Sequence, residues 1–245
     1  MKIALFSDVH ANLPAFKAML EDLDKQAPDA VYCLGDLIGY NVWPNEVIAE
    51  IRRRGIATLA GNHDLKVENL ITTPQSLTES GKKYAYHLVE QHHREYLLTL
   101  PAHIRLEFKS DSEKLNIVMA HGSTRSVDEY TLFDTEEKHV LEMMEEASAD
   151  LLFVGHSHKP YHRIMESNAG VSKHVINLGS VGKPKDGDTR GCYVMLTINK
   201  SSSLLNLESI KVEFRRVAYD LDKATKGILE SPLPDEFAQV LIEAR

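Results

Sequence analysis

Two cysteines in 245 residues, Cys33 and Cys192, are too few for a disulfide framework or a thiolate metal site. Each falls inside a predicted strand, which reads as a buried thiol rather than half of a bridge. Excess positive charge is also missing: 28 lysines and arginines face 36 aspartates and glutamates, a formal net charge of −8. Nonspecific binding to nucleic acid or to an anionic membrane needs a basic surface and is therefore not expected. A small phosphorylated substrate stays open, because bound dications reverse the sign locally. No apolar run approaches the roughly 18 residues of a bilayer span, and the run before Asp8 is too short for a signal peptide's apolar core. There is no internal repeat, low-complexity tract or linker. The expectation is a cytoplasmic protein of one domain, 1–245, whose 43% apolar content can fill a large core. An oligomer is compatible with the sequence.

What is present is a repeated design. A short apolar strand over 2–6 stops at Ser7, and Asp8 and His10 follow at once. In an extended segment, residues two apart share a side, so this carboxylate and imidazole are expected to face one cation. Pro14 opens a helix with Phe16, Met19, Leu20 and Leu23 as its apolar stripe. A second strand over 31–34 runs into Gly35-Asp36, a helix follows over 44–54, and a third strand over 56–59 ends in Gly61-Asn62-His63-Asp64. Three such units predict a parallel sheet with right-handed crossovers, whose strand carboxyl ends are where α/β sheets place ligands.

Over 65–100 the rhythm stops. That segment reads as a helical insertion able to overhang the site, with one helix over 80–98 closed by Pro101. Its His87, His92 and His93 read as exposed helical residues, and Tyr84 or Tyr86 as the wall on which a base would stack. Strands resume over 104–108 and 115–119, the latter leading into His121-Gly122-Ser123. A helix over 135–147 with Thr135 as N-cap precedes a buried strand over 151–154 that ends in Gly155-His156-Ser157-His158. The remainder reads as antiparallel strands over 161–165, 173–176, 192–198 and 204–216, then a helix over 218–229.

Seven residues thus share one context, just past a strand: Asp8, His10, Asp36, Asn62, His121, His156 and His158. Each alone has an ordinary explanation as a cap, a turn residue or a hydrogen-bonded histidine. Recurring together at five strand ends, they point to metal. Seven side chains exceed one ion's needs but suit two ions if a carboxylate bridges, and Asp36, from a central strand, is the natural bridge. Oxygen and nitrogen ligands without thiolate admit Mn, Fe, Co, Ni or Zn, whereas calcium fits badly. Asn12 would either touch phosphate or cap the helix at Pro14. Arg125 and Arg190 are candidates for gripping a substrate phosphate, with plain surface arginine the alternative. Asn177 and Ser180 are expected to shape the floor through turn hydrogen bonds.

The order Asp8-Val9-His10, Gly35-Asp36, Gly61-Asn62-His63-Asp64, His121-Gly122, Gly155-His156-Ser157-His158 resembles the calcineurin-like metallophosphoesterases. Asn177-Leu178-Gly179-Ser180-Val181-Gly182 and Gly39-Tyr40 are similar to the bacterial and archaeal branch with small phosphodiesterases and dinucleoside polyphosphate hydrolases. The resemblance implies a four-layer αββα sandwich of mixed sheets, of the α/β class. It implies two divalent transition-metal ions, one held by Asp8, His10, Asp36 and His158, the other by Asp36, Asn62, His121 and His156. His63 would face the substrate as the catalytic histidine rather than bind metal. Gly39-Tyr40-Asn41 stands where the family's protein phosphatases carry Asp-Arg-Gly, so protein phosphatase activity is not expected and His63 lacks their carboxylate partner. The implied reaction is attack of a hydroxide shared by the two ions on a phosphoester, most directly a phosphodiester. The alternatives are cleavage of a dinucleoside polyphosphate and, in another class, a non-catalytic scaffold with the same fold.

Overall fold

The computed structural model describes residues 1–167 and 170–245, and among them are ten strands and seven helices. The first sheet begins with β1 (Lys2–Phe6), followed by α1 (Leu13–Gln26), β2 (Ala30–Cys33), α2 (Pro44–Arg54) and β3 (Ala57–Thr58). The next segment carries α3 (Tyr84–His87) and α4 (Gln91–Leu97). The second sheet comprises β4 (His103–Lys109), β5 (Lys114–Ala120), β6 (Leu151–Val154), β7 (Tyr161–Glu166) and β8 (Ser172–Asn177), with α5 (Glu137–Glu146) between β5 and β6. The chain then returns to the first sheet as β9 (Gly191–Thr197) and β10 (Lys211–Val217) and ends in α6 (Leu221–Leu229) and α7 (Glu236–Glu243). Strand order is β10-β9-β1-β2-β3 in one sheet and β4-β5-β6-β8-β7 in the other. Both are mixed: β1, β2 and β3 run parallel, as do β5, β6 and β8, while antiparallel strands finish one edge of the first sheet (β9 and β10) and both edges of the second (β4 and β7).

Side-chain alternation builds four layers. On β1, Ile3 and Leu5 face Ile117, Met119, Phe153 and Ile176 of the second sheet, forming the layer between the sheets. Ala4 and Phe6 point the other way, onto Phe16, Met19, Val47 and Ile48 of α1 and α2. On the far side, Val118, Leu152 and Val175 pack against Val140, Met143 and Met144 of α5. The sandwich expected from the resemblance is therefore present. α6 and α7 close over Tyr40, Val42 and Tyr84.

Several local expectations are corrected. The segment 80–98 is two short helices, because Asn45 of α2 interrupts it: Asn45 Nδ2 donates to Leu88 O at 2.9 Å and Asn45 Oδ1 accepts from Glu90 N at 2.9 Å, with Glu90 extended at ψ 151°. His93 is buried and His87 half-buried, so only His92 fits the exposed reading. Thr135 does not cap α5; its hydroxyl accepts from Leu132 N in the preceding turn. The stretch 204–216 holds a 3-10 turn, Leu207–Ser209, before the strand begins at Lys211. Both thiols are free and buried, as expected.

Candidate metal centre

All seven expected ligands meet at the carboxyl edge of the parallel strands. Asp8 and His10 do not reach it from an extended segment. Asp8, His10, Asp36, His156 and His158 all adopt left-handed backbone, with φ between 49° and 63°. The loop after β1 instead stays bonded to the one after β2, through Asp8 N to Gly35 O at 3.0 Å and His10 N to Asp36 O at 2.9 Å. Such conformations cost on the order of 1 kcal/mol or more each in a non-glycine residue and persist where surroundings enforce them, typically at functional sites. Gly61 is required for space: a Cβ there would stand 2.2 Å from Asp36 Oδ1.

Three imidazoles are fixed from behind. His10 Nδ1 bonds Ile38 O at 3.0 Å, His121 Nδ1 bonds Leu34 O at 2.7 Å, and His158 Nδ1 bonds Lys183 O at 2.5 Å. A carbonyl only accepts, so each Nδ1 carries hydrogen and each Nε2 faces inward. There His10 Nε2 and His158 Nε2 stand 3.1 Å apart, and His158 Nε2 lies 3.1 Å from Asp8 Oδ1. Asp36 Oδ2 sits between the halves, 3.6 Å from His10 Nε2 and 3.4 Å from His121 Nε2, while Asn62 Oδ1 is 3.3 Å from His121 Nε2. Asp8 Oδ1 and His156 Nε2 are buried with no hydrogen-bond partner. Unpaired lone pairs converging in a buried space are costly unless a cation lies among them. The donor set fits divalent metal on these grounds. Around this edge the side chains fall into the groups Asp8–His10–His158, His10–Asp36–His63 and Asp36–His121–His156, each with ligand atoms within 4.8 Å of one another.

Electrostatics agree. Burial opposes ionisation of Asp8 and Asp36, yet His158 and His10 beside Asp8, and His121 and His63 beside Asp36, hold both carboxyls below the usual range. Burial would lower His121 too, but the Asp36 carboxylate raises it to about 10. Burial lowers His158 to about 4, His63 to about 3, and also lowers His156.

His63 sits beside this cluster, its ring 4.9 Å from that of His10 and its backbone N–H donating to Asp36 Oδ1 at 2.8 Å. Asn12 caps α1, accepting from Ala15 N at 3.2 Å and donating to Gly182 O at 2.8 Å, so its amide is engaged at both ends. Arg125 is bound by Glu146 through two hydrogen bonds and Arg190 by Asp188, both at the surface and neither brought into the cluster's contacts. Asn177 holds Gly155 O and Ser157 Oγ, and Ser180 Oγ donates to Asp8 O at 2.7 Å, the expected floor. Tyr84 packs against α6 and α7 rather than standing as an open wall.

Sequence reasoning missed Lys183 and Lys185. Lys183 carries its ammonium 4.8 Å above the Tyr40 ring, and Tyr40 meets His10 edge-on at 4.8 Å. Lys185 N donates to His158 O at 3.3 Å. Among the described residues neither ammonium is ion-paired, and burial lowers both, Lys183 to about 8. The only available signal was position, directly after the Asn177–Gly182 turn. Tyr130 was also missed; it stacks on His156 at 4.2 Å while more than half exposed.

A family model for the calcineurin-like phosphoesterase superfamily domain matches residues 1–201. The chain belongs to that superfamily. It is 30% identical over 262 aligned positions to an uncharacterized protein of Methanocaldococcus jannaschii, covering 99% of this chain and 98% of that one. A metallophosphoesterase of Sphaerobacter thermophilus superposes with a TM-score of 0.76 at 26% identity, covering 100% of this chain and 99% of that one. A hypothetical protein of Pyrococcus horikoshii shares the fold, with a TM-score of 0.76 at 21% identity over 98% of this chain and 97% of that one. Membership supports metal-dependent phosphoester hydrolysis. No helix among the described residues is long and apolar enough to cross a membrane.

Proposed function

We propose that this chain, acting as one domain, hydrolyses phosphodiesters with two divalent transition-metal ions. The first would be held by Asp8, His10, Asp36 and His158, the second by Asp36, Asn62, His121 and His156. The observation that carries the reading is the pair of inward ring nitrogens, His10 Nε2 and His158 Nε2, 3.1 Å apart beside the unpartnered Asp8 Oδ1. Such ions supply Lewis acidity to phosphoryl oxygens and lower the pKa of water toward neutrality. His63 then donates a hydrogen bond to a phosphoryl oxygen or to the departing oxygen. Lys183 and Lys185 contribute positive charge beside the site, while Arg125 and Arg190, proposed as phosphate-binding from sequence, would have to leave Glu146 and Asp188 first. A singly charged diester suits that modest supply of free cationic side chains. The cytoplasm suits two free buried thiols.

The test is a substrate panel on protein stripped and reloaded with Mn, Fe, Co, Ni or Zn: an aryl phosphodiester, an aryl monoester, cyclic nucleotides and dinucleoside polyphosphates. Diester preference by about a hundredfold, ~2.7 kcal/mol in the barrier, is the expected result. The unpaired Lys183 and Lys185 favour one rival, a polyphosphate with a second anionic group; preference for that substrate would replace the diester. Metal uptake without any turnover would leave the scaffold reading instead. His63→Ala should keep both ions and lose about a hundredfold on alkyl esters.

A further inference from the structure

His63 needs an orienting partner, and the residue beside it does not serve. Asp64 is consumed by backbone, accepting from Asp36 N at 2.7 Å, Leu37 N at 2.9 Å and Gly61 N at 3.0 Å. The partner comes from α3, far along the chain: Tyr86 Oη lies 2.7 Å from His63 Nδ1. Gly39 makes the room, because a Cβ there would stand 2.6 Å from that same Nδ1. Tyr40 flanks the imidazole with ring centroids 4.8 Å apart, and the Lys66 ammonium lies 5.6 Å from the Tyr86 ring centroid. Among the described residues the Tyr86 hydroxyl has no other hydrogen-bond partner. A half-buried phenol whose hydrogen has one acceptor in reach donates to it. In a neutral imidazole that accepts at Nδ1, the hydrogen is on Nε2.

We propose that Tyr86 is a positioning residue that fixes His63 as the Nε2–H tautomer and holds its donor toward the reacting phosphate. The opposite tautomer would turn a lone pair to an anionic oxygen and repel it. Locking a catalytic histidine's tautomer through its second nitrogen is worth orders of magnitude in rate elsewhere. The role gives the 65–100 segment a part in chemistry. It also supplies, with a phenol, the orienting contact that Gly39-Tyr40-Asn41 cannot. The kinetic consequence rests on the phosphoesterase reading, whereas the tautomer does not.

The two are therefore tested separately. Nitrogen-15 NMR of His63 in metal-free wild type should find Nδ1 bare and Nε2 protonated, and Tyr86→Phe, which deletes one oxygen, should give a mixture. A wild-type ring protonated at Nδ1, or one unchanged by Tyr86→Phe, overturns the proposal whether or not the protein is an enzyme. In turnover, Tyr86→Phe should lower kcat about tenfold on an alkyl-leaving-group diester with KM within about twofold, and lower it by a smaller factor on an aryl diester. His63→Ala combined with Tyr86→Phe should be no slower than His63→Ala alone, since the tyrosine acts only through the histidine. Additive losses, or a change confined to KM, would assign Tyr86 a merely structural part.

Discussion

The two sheets bring different chemistry to the same edge. The first contributes both buried carboxylates, Asp8 and Asp36, together with His10 and Asn62; the second contributes imidazoles alone, His121, His156 and His158. Without cations the second sheet answers unevenly: His121 is raised to about 10 against Asp36, while His158 falls to about 4 and His156 also falls. Cations would neutralise the first sheet's acids and join the sheets where no strand pairing does.

The sharpest break of this asymmetry is Asp36→Asn, which removes charge from the carboxylate shared by both halves. Bound metal should fall from two ions to at most one per chain by elemental analysis, and kcat/KM by about a thousandfold, ~4 kcal/mol. On the second sheet, His156→Ala should cost one ion only and about a hundredfold in rate, ~2.7 kcal/mol. Equal losses from the two variants would erase the distinction between the sheets. Metal should also tie the sheets together: free Mn at ten times its Kd should raise the unfolding free energy by ~1.4 kcal/mol per site, an increment smaller in Asp36→Asn. The smallest effect lies away from the edge, where Asp22 of α1 binds Arg215 and Tyr193 of the first sheet at 2.7 and 2.6 Å. Those bonds hold the Asp22 carboxyl below its usual value of 3.8, with burial opposing. Because the folded value is depressed, the stability it confers is present above the unfolded pKa and is lost as pH falls through the folded one. Asp22→Asn should therefore cost about 1 kcal/mol at pH 7 in denaturant unfolding, with the gap closing below pH 4.

The layers and the cluster were legible because their determinants are local. Apolar runs such as 2–6 and 151–154 mark buried strands, and a ligand directly after each run is placed by the strand end itself. What escaped depends on partners distant in sequence. The break in 80–98 comes from Asn45, which lies 43 residues before Leu88, and nothing in Leu88 to Glu90 announces it. The left-handed turns at Asp8 and His10 follow from bonding to the β2 loop, which an extended reading of six residues could not supply. α7 was unread, although Phe237, Ala238 and Leu241 form its buried face. Tyr86 was expected as a stacking wall; its bond to His63 requires knowing where α3 lies.

The central claim is that both sheets grip a pair of cations across Asp36. Crystals soaked in Mn and measured on either side of its absorption edge test it most directly. The account predicts two anomalous peaks, one ringed by Asp8, His10 and His158, the other by Asn62, His121 and His156, with Asp36 between them. No peak, or a single peak away from Asp36, would contradict it.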